Sequence, residues 1–361
     1  MLSQIMRVAS RRPFLIASRF SALHNDHMAQ KSTQLPSYDD VISAARRLKG
    51  HAFATPMLRS PIIDAMVDKT VWFKPECNQK VGAFKYRGAF NRLSVMTPSE
   101  RAKGVVAYSS GNHAQGVSRA AKELGISAVI VMPNDAPKVK VAGVIADGAS
   151  IIEYDRMTES REDIADDINR KEGRIIVPSY DDCHIVAGQG TVGLEVALEA
   201  KERNVEFDAL ITCMGGGGLC AGISLALKEL SPRTKVFGAE PKDYNDHQMS
   251  FEQGKRVGLN NPPASLCDAL MTPMPGELTW QINSKRLSGV YGVSDVQCLL
   301  SMAIAKRELG VTLEPGGAVA MAATLNRVFD NAPDVNTVCV ILSGGNVDPD
   351  ISARADTLLG L

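Results

Sequence analysis

The sequence predicts an α/β fold of mostly parallel sheets flanked by helices, and three observations carry the prediction. Short β-branched runs alternate with amphipathic stretches of helical length along the chain. Parallel strands need such crossovers, which cover both faces of the sheet. Glycine-rich runs stand where an expected strand gives way to an expected helix. The chain has 361 residues, 45% hydrophobic and 22% charged, enough for one large or two medium domains with a substantial core.

Taken in order, strands are expected at 104–109, 127–132, 150–154, 174–177, 209–213, 235–239 and 337–342, each a short apolar or β-branched run. Helices are expected at 112–124, 137–147, 159–171, 190–204, 219–230 and 294–309, the last opening on Ser294 as N-cap. Residues 104–178 read as a βαβαβ-type unit. The division expected is therefore a small domain, 103–179, inserted into a large one built from 31–102 and 180–361. Residues 255–282 hold Pro262, Pro263, Pro273 and Pro275 with little periodicity and are expected to be an irregular loop near a cleft or a subunit contact.

Forty basic and forty acidic residues balance, which removes the electrostatic argument for nucleic acid or an anionic membrane as a partner. No apolar run approaches the roughly 20 residues of a spanning helix. Seven cysteines (Cys77, Cys183, Cys213, Cys220, Cys267, Cys298, Cys339) are odd in number and never spaced as CxxC. That spacing argues for small buried hydrophobes in a reducing compartment rather than for disulfides or zinc. Residues 1–30 are set apart from the fold, because Arg7, Arg11, Arg12 and Arg19 with several serines and no acid before Asp26 suit a transit peptide. A disordered tail, or an extension upstream of a start at Met28, fits the same composition. The location expected is mitochondrial or cytoplasmic.

Four segments carry chemistry. In the first, residues 79–90, Lys85 stands beside Phe84, with Lys80 and Arg87 as neighbouring cations. A lysine becomes a Schiff-base nucleophile when an apolar wall and nearby positive charge lower its pKa. In the second, Met214-Gly215-Gly216-Gly217-Gly218-Leu219 follows an expected strand and opens an apolar helix. Glycines let backbone amides crowd round an anion and the helix terminus adds partial positive charge, so this is a phosphate cradle. It lacks the Lys-Ser/Thr of a nucleotide P-loop.

The third segment, Ser109-Ser110-Gly111-Asn112-His113, lies at another strand-to-helix junction. Its amides and hydroxyls suit a substrate carboxylate, with Ser109, Ser110 and His113 as substrate-binding candidates, and Asn112 suits a phenolic or carbonyl oxygen. His113 reads equally as a general base or as a helix-start histidine making structural bonds. In the fourth, Ser343 follows the expected strand 337–342, where open α/β sheets place their ligands. A basic amine in an apolar pocket, a phosphate cradle and a hydroxyl-rich carboxylate loop together describe a pyridoxal 5′-phosphate site.

These motifs, in this order over residues 35–350, resemble the tryptophan-synthase-β-like, fold-type-II pyridoxal-phosphate enzymes. Within that family the similarity is to the serine racemases, serine/threonine dehydratases and threo-3-hydroxyaspartate dehydratases. The resemblance implies two open, mostly parallel twisted sheets with pyridoxal phosphate in the cleft between domains, and a homodimer. It implies Lys85 as the Schiff-base lysine, Phe84 as the aromatic beside the cofactor and Asn112 as partner of its 3′-oxygen. Gly215, Gly216, Gly217 and Gly218 become the phosphate loop, and Ser343 faces the pyridine nitrogen. Ser110 matches the serine that racemising members carry on the face of Cα opposite the lysine. Glu240, Tyr244 and Asp246 match a divalent-cation set of two carboxylates and a backbone carbonyl, suited to Mg²⁺ or Ca²⁺; a solvated acidic loop is the other reading.

Some positions depart. Ala83 replaces the serine usual two residues before the lysine, a variant associated with hydroxyaspartate-type dehydratases. Lys80, Gln115 and Asn346 match nucleotide-contacting positions of animal serine racemases, whereas Asp147 and Gly310 do not, so ATP is not carried over. The activity implied is racemisation and/or dehydration of a small hydroxy amino acid to 2-oxo acid and ammonia. A threo-3-hydroxyaspartate or L-threonine dehydratase without racemase activity is the alternative; a β-replacement synthase and a non-catalytic cofactor-binding protein stand further off. Arg161 is a candidate for a substrate side-chain carboxylate, with a surface role as the other reading.

Overall fold

In the computed structural model, which describes residues 35–360, nine strands form two sheets. The strands are β1 (Thr70–Lys74), β2 (Val105–Tyr108), β3 (Ala128–Pro133), β4 (Ser150–Tyr154), β5 (Ile175–Ile176), β6 (Ala209–Cys213), β7 (Lys235–Pro241), β8 (Leu287–Val293) and β9 (Thr337–Ile341). One sheet has the order β1-β9-β6-β7-β8, the other β4-β3-β2-β5. Every pairing within them is parallel, with registers such as Thr70↔Thr337 and Val105↔Ala128. The α/β fold of two parallel sheets is the one expected. The smaller sheet draws its strands from within residues 103–179, and both sheets lie in one compact unit, Leu35–Leu361.

Central strands are buried on both faces: all five residues of β6 and the last four of β9 are inside. Helices cover these faces, which is why the strands read as unbroken apolar runs. Leu210, Ile211, Val338, Val340 and Ile341 form one core, and Val105, Ala107, Ile130 and Met132 pack with Phe90 and Leu93 in another. β1 and β8 were not expected from the sequence. Both are edge strands, and β8 contains Gly289 and Gly292, which weaken intrinsic strand preference. Pairing to β9 and β7 decides their structure.

The helix expected at 190–204 is longer, Cys183–Arg203, with Asp182 capping the His184 and Ile185 amides. Gly188 and Gly190 make its first half look weak as helix, yet they are there for packing. A Cβ on Gly190 would lie 2.7 Å from the Gly222 carbonyl, and one on Gly222 would lie 2.4 Å from the Val186 carbonyl. The helix therefore meets Gly218–Leu230 backbone to backbone. The irregular stretch expected at 255–282 ends earlier, because Glu277–Arg286 is helical. Its start is fixed by Asp181, whose carboxylate accepts from the Glu277, Leu278 and Thr279 amides at 2.6, 3.0 and 3.2 Å. Ser294 caps Asp295–Leu309 through a reciprocal capping box with Gln297, as expected. The basic N-terminal segment lies outside the described residues, among which no helix is long and apolar enough to cross a membrane.

Candidate active site

The strand order brings the carboxyl ends of β6 and β9 side by side, with β1 next to β9, and chemistry-bearing segments leave from them. β6 runs into Met214 and the four glycines, β9 into Ser343, and β1 into the turns that precede Lys85. Phe84 N donates to Ser343 O at 3.2 Å and Gly345 N to Gly82 O at 2.9 Å, so the lysine segment is stitched to the Ser343 segment. A single cavity is lined by Phe84, Lys85, Asn112, Ser179, Tyr180 and Cys213. The four glycines, Leu270, Thr272, Glu314 and Ser343 are also among its walls.

Lys85 is the first residue of the helix Lys85–Ser94. Its Nζ donates to the Ser179 carbonyl at 2.8 Å and lies 5.2 Å from the centre of the Phe84 ring. Burial lowers the ammonium pKa to about 8, so the amine gives up its proton more than two units below a solvated lysine. The expectation that Arg87 and Lys80 supply this shift is overturned. The Arg87 guanidinium points away, bonded to Glu76 at 2.7 Å and Glu195 at 2.6 Å, so its charge is neutralised where it sits. Lys80 pairs with Glu123 at 3.0 Å. Desolvation alone is what lowers Lys85.

The glycine loop is shaped by groups that take its carbonyls. His247 Nε2 is 2.7 Å from Gly215 O, Thr279 Oγ1 donates to Gly216 O at 2.6 Å, and Asn283 Nδ2 donates to Gly217 O at 3.0 Å. Among the described residues, the Gly215, Gly216 and Gly217 amides donate to no carbonyl. With the N-terminus of Gly218–Leu230 beside them, they form a cradle for an anion. Gly217 has φ +86°, a conformation that side chains resist, and a Cβ on Gly216 would lie 2.1 Å from the Tyr180 ring. The cavity thus offers unpaired amides for a phosphate, a desolvated amine for an aldehyde, and the Ser343 hydroxyl. That donor set fits pyridoxal phosphate.

Asn112 is buried at the start of its helix, with Oδ1 accepting from Asn346 Nδ2 at 2.9 Å and Nδ2 donating to Glu314. The other proton of Asn346 Nδ2 reaches Val81 O at 2.6 Å and secures Val81 in the left-handed region at φ 58°, which a β-branched residue rarely adopts. Ser343 is buried beside the Cys213 thiol, which hydrogen-bonds it. His113 is not in the cavity lining. Its Nε2 meets Val177 O at 2.9 Å, and burial with the nearby Lys85 charge holds its pKa down at about 3, so the ring is neutral and its bond structural. Ser109 Oγ accepts from Gly111 N at 3.1 Å, and neither Ser109 nor Ser110 lines the cavity.

Sequence reasoning missed Glu314, Tyr180, Ser179 and Thr272. Glu314 had one signal available: an acid followed by Pro315 at the N1 position of the helix Pro315–Leu325. The others sit in irregular backbone without a pattern.

At the end of β7, Glu240 is buried, with Oε1 accepting from Gln248 N at 2.8 Å and Oε2 from His247 N at 3.3 Å. Asp246 is 1% exposed, its Oδ2 has no hydrogen-bond partner, with His247 Nε2 4.0 Å away, and burial pushes its pKa up to about 8. Arg161 opens the helix Arg161–Glu172; its guanidinium lies 5.4 Å over the Tyr108 ring and bonds Glu162 at 2.8 Å.

Residues 48–344 match the model of the family described as pyridoxal-phosphate dependent enzyme. The chain belongs to that family. It is 40% identical over 314 residues to the serine racemase of Schizosaccharomyces pombe, covering 87% of this chain and 95% of the relative. It is 40% identical over 314 residues to the L-threo-3-hydroxyaspartate ammonia-lyase of Saccharomyces cerevisiae, covering 87% and 94%. The solved structure of maize serine racemase superposes with a TM-score of 0.84 at 35% identity, over 90% of this chain and 98% of that one.

Proposed function

We propose that this enzyme acts at Cα and Cβ of small hydroxy amino acids, racemising them and/or dehydrating them to 2-oxo acid and ammonia. The observation that carries the reading is the Lys85 amine, held near pKa 8 by burial in the same cavity as the glycine cradle, Asn112 and Ser343. When bound there, pyridoxal phosphate supplies an electron sink for negative charge at Cα. The Gly215–Gly218 amides would hold its phosphate, Ser343 would offer its ring nitrogen a neutral hydroxyl, and Asn112 would donate to its ring oxygen. Phe84 and Tyr180 keep water from the Lys85 amine. The Lys85 amine, in its neutral form, would take the Cα proton. Ser110, outside the cavity lining in this structure, would have to reach the opposite face of Cα when substrate binds, which would permit inversion when it returns a proton before the hydroxyl leaves. The two outcomes diverge by a small barrier difference, since ~1.4 kcal/mol is tenfold in rate.

Substrate choice rests on Arg161. Its position over Tyr108, with its charge felt at Tyr180 on the cavity wall, suits the second carboxylate of 3-hydroxyaspartate. Arg161→Leu should then weaken turnover of L-threo-3-hydroxyaspartate and spare L-serine; equal losses on both would remove the assignment. Glu240, the Tyr244 carbonyl and Asp246 are proposed to hold Mg²⁺ or Ca²⁺. Two buried carboxylates with an orphan oxygen are hard donors that a divalent cation satisfies. A homodimer, a small domain at 103–179 and mitochondrial or cytoplasmic residence belong to the same proposal.

The test is a paired assay of residues 28–361 with pyridoxal phosphate and Mg²⁺. L-serine, D-serine, L-threonine and L-threo-3-hydroxyaspartate are each followed for 2-oxo acid and for the opposite enantiomer, in wild type and in Ser110→Ala. Loss of inversion alone in the variant supports the two-base reading. If only 2-oxo acid appears and the variant matches wild type, the enzyme is a plain dehydratase; inversion that survives in the variant removes Ser110 from the two-base reading, and no turnover of any of the four would overturn the proposal.

A further inference from the structure

A buried lysine outside the cavity lining is wired into it. Lys140 belongs to the helix Lys138–Ala146, beside the smaller sheet, and is 0% exposed. Its Nζ lies 2.8 and 3.0 Å from the Asp268 carboxylate oxygens and 2.8 Å from Glu314 Oε2. Asp268 directly precedes Ala269 and Leu270 on the cavity wall, and Glu314 is itself a wall residue, 2% exposed. The lysine stem passes across the turn before Asn112 so closely that a Cβ on Gly111 would lie 2.3 Å from its Cδ. A fully buried lysine is costly unless paired and hydrogen-bonded, and here two carboxylates hold the ammonium charged.

The charge matters at Asn112. Its Nδ2 carries two protons and Oδ1 none. Asn346 donates to Oδ1, Glu314 takes one Nδ2 proton, and the remaining N–H is left at the cavity wall. That arrangement requires Glu314 to be an acceptor. A protonated Glu314 keeps only a weaker, uncharged acceptor and gains an O–H that can donate to the amide oxygen, so the amide would no longer be held in one orientation. The titratable groups facing Glu314 are Lys140 from the small-sheet side, Asp268 from the preceding loop, and the thiols of Cys77 and Cys213, both raised by burial. Burial, with Asp268, leaves the Glu314 carboxyl above the ordinary carboxylate range, and Lys140 and the Asn112 bond are what hold that rise in check.

We propose that Lys140 is a positioning residue for the cofactor: by pairing with Glu314 it keeps that carboxylate ionised, which locks the Asn112 amide with its free N–H toward the cofactor's ring oxygen. The inference rests on the reading of Asn112 as that oxygen's partner. Its test is therefore built so that the two can fail separately.

Apoproteins of wild type, Asn112→Ala, Lys140→Met, Lys140→Arg and Glu314→Gln are titrated with pyridoxal phosphate between pH 6 and 8.5, following absorbance of the bound cofactor, with thermal melts of each apoprotein as a fold control. Lys140→Met should bind roughly tenfold more weakly, the worth of one hydrogen bond that needs a charged partner. Its deficit against wild type should widen as pH falls, because Glu314 without its cation is pushed further up by burial and takes up a proton at higher pH than in wild type. Lys140→Arg should recover most of the affinity. Glu314→Gln should show a deficit that does not change with pH, and adding Lys140→Met to it should bring no further pH-dependent loss. If Asn112→Ala binds as wild type does, the reading of Asn112 fails. If Asn112→Ala is impaired but folded Lys140→Met matches wild type at every pH, the role of Lys140 is overturned. Should Lys140→Met not fold, wild-type affinity in Glu314→Gln overturns it equally.

Discussion

At the scale of single residues, burial is the cause that recurs. Lys85 is brought to about pH 8 by desolvation, without help from a neighbouring cation. The neutral amine is the form that captures an aldehyde, so capture of pyridoxal phosphate by the apoprotein should accelerate with rising pH through about 8. A midpoint near the ordinary lysine value of ~10.4 would contradict the burial argument. Arg87 is the opposite case, a buried cation kept fully charged by Glu76 and Glu195, with Lys74 on Glu195 at 2.6 Å. Replacing it by Met leaves two carboxylates with less compensation, and should cost about 3–5 kcal/mol in denaturant unfolding. A loss below about 1 kcal/mol would mean that the pair is solvated in solution.

At the scale of elements, the glycines do two different jobs. Those of Gly215–Gly218 expose amides, and the left-handed backbone of Gly217 turns the chain into a helix. Those of Cys183–Arg203 and Gly218–Leu230 let two helices touch. Gly222→Val should force these helices apart and destabilise the protein by about 1–3 kcal/mol, since overpacking a dense interior strains it. The thermal midpoint of the apoprotein checks this, and an unchanged midpoint would show that the contact relaxes freely. Gly215→Ala, where a Cβ would come no closer than 3.3 Å to its neighbours, should leave the midpoint less affected but weaken cofactor binding, separating the packing role from the binding role.

At the scale of the whole molecule, β1 pairs with β9 across most of the chain, and both sheets send their strand ends toward one region. The carboxylates at the end of β7 are tied to that region through His247, which bonds Gly215 while its own amide meets Glu240. A cation at Glu240 and Asp246 would hold this corner of the fold together. Saturating Mg²⁺ should raise the thermal midpoint of wild type, by linkage worth about 2.7 kcal/mol at a hundredfold excess over Kd. The rise should vanish in Asp246→Asn and in Glu240→Gln. An equal rise in both variants would place the cation elsewhere.

The sequence by itself determined the fold class, most of the inner strands and the segments that meet in the cavity. Buried parallel strands must be apolar throughout, and a phosphate loop must be glycine-rich, so both leave local marks. Lys85, Asn112, the four glycines and Ser343 were legible for that reason. What only the tertiary structure decided depends on distant partners. The edge strands β1 and β8 take their form from β9 and β7, and the glycine-rich start of Cys183–Arg203 is helical because Gly222 faces it. Arg87 looked like a companion of Lys85 in sequence, yet a helix turns neighbours to different faces, and Glu76 and Glu195 claim it. Glu314 and Lys140 lie far along the chain from Asn112 and from each other, and no local pattern marks them. Their roles come from one buried site in which a charge, once desolvated, must find its partner wherever the fold supplies it.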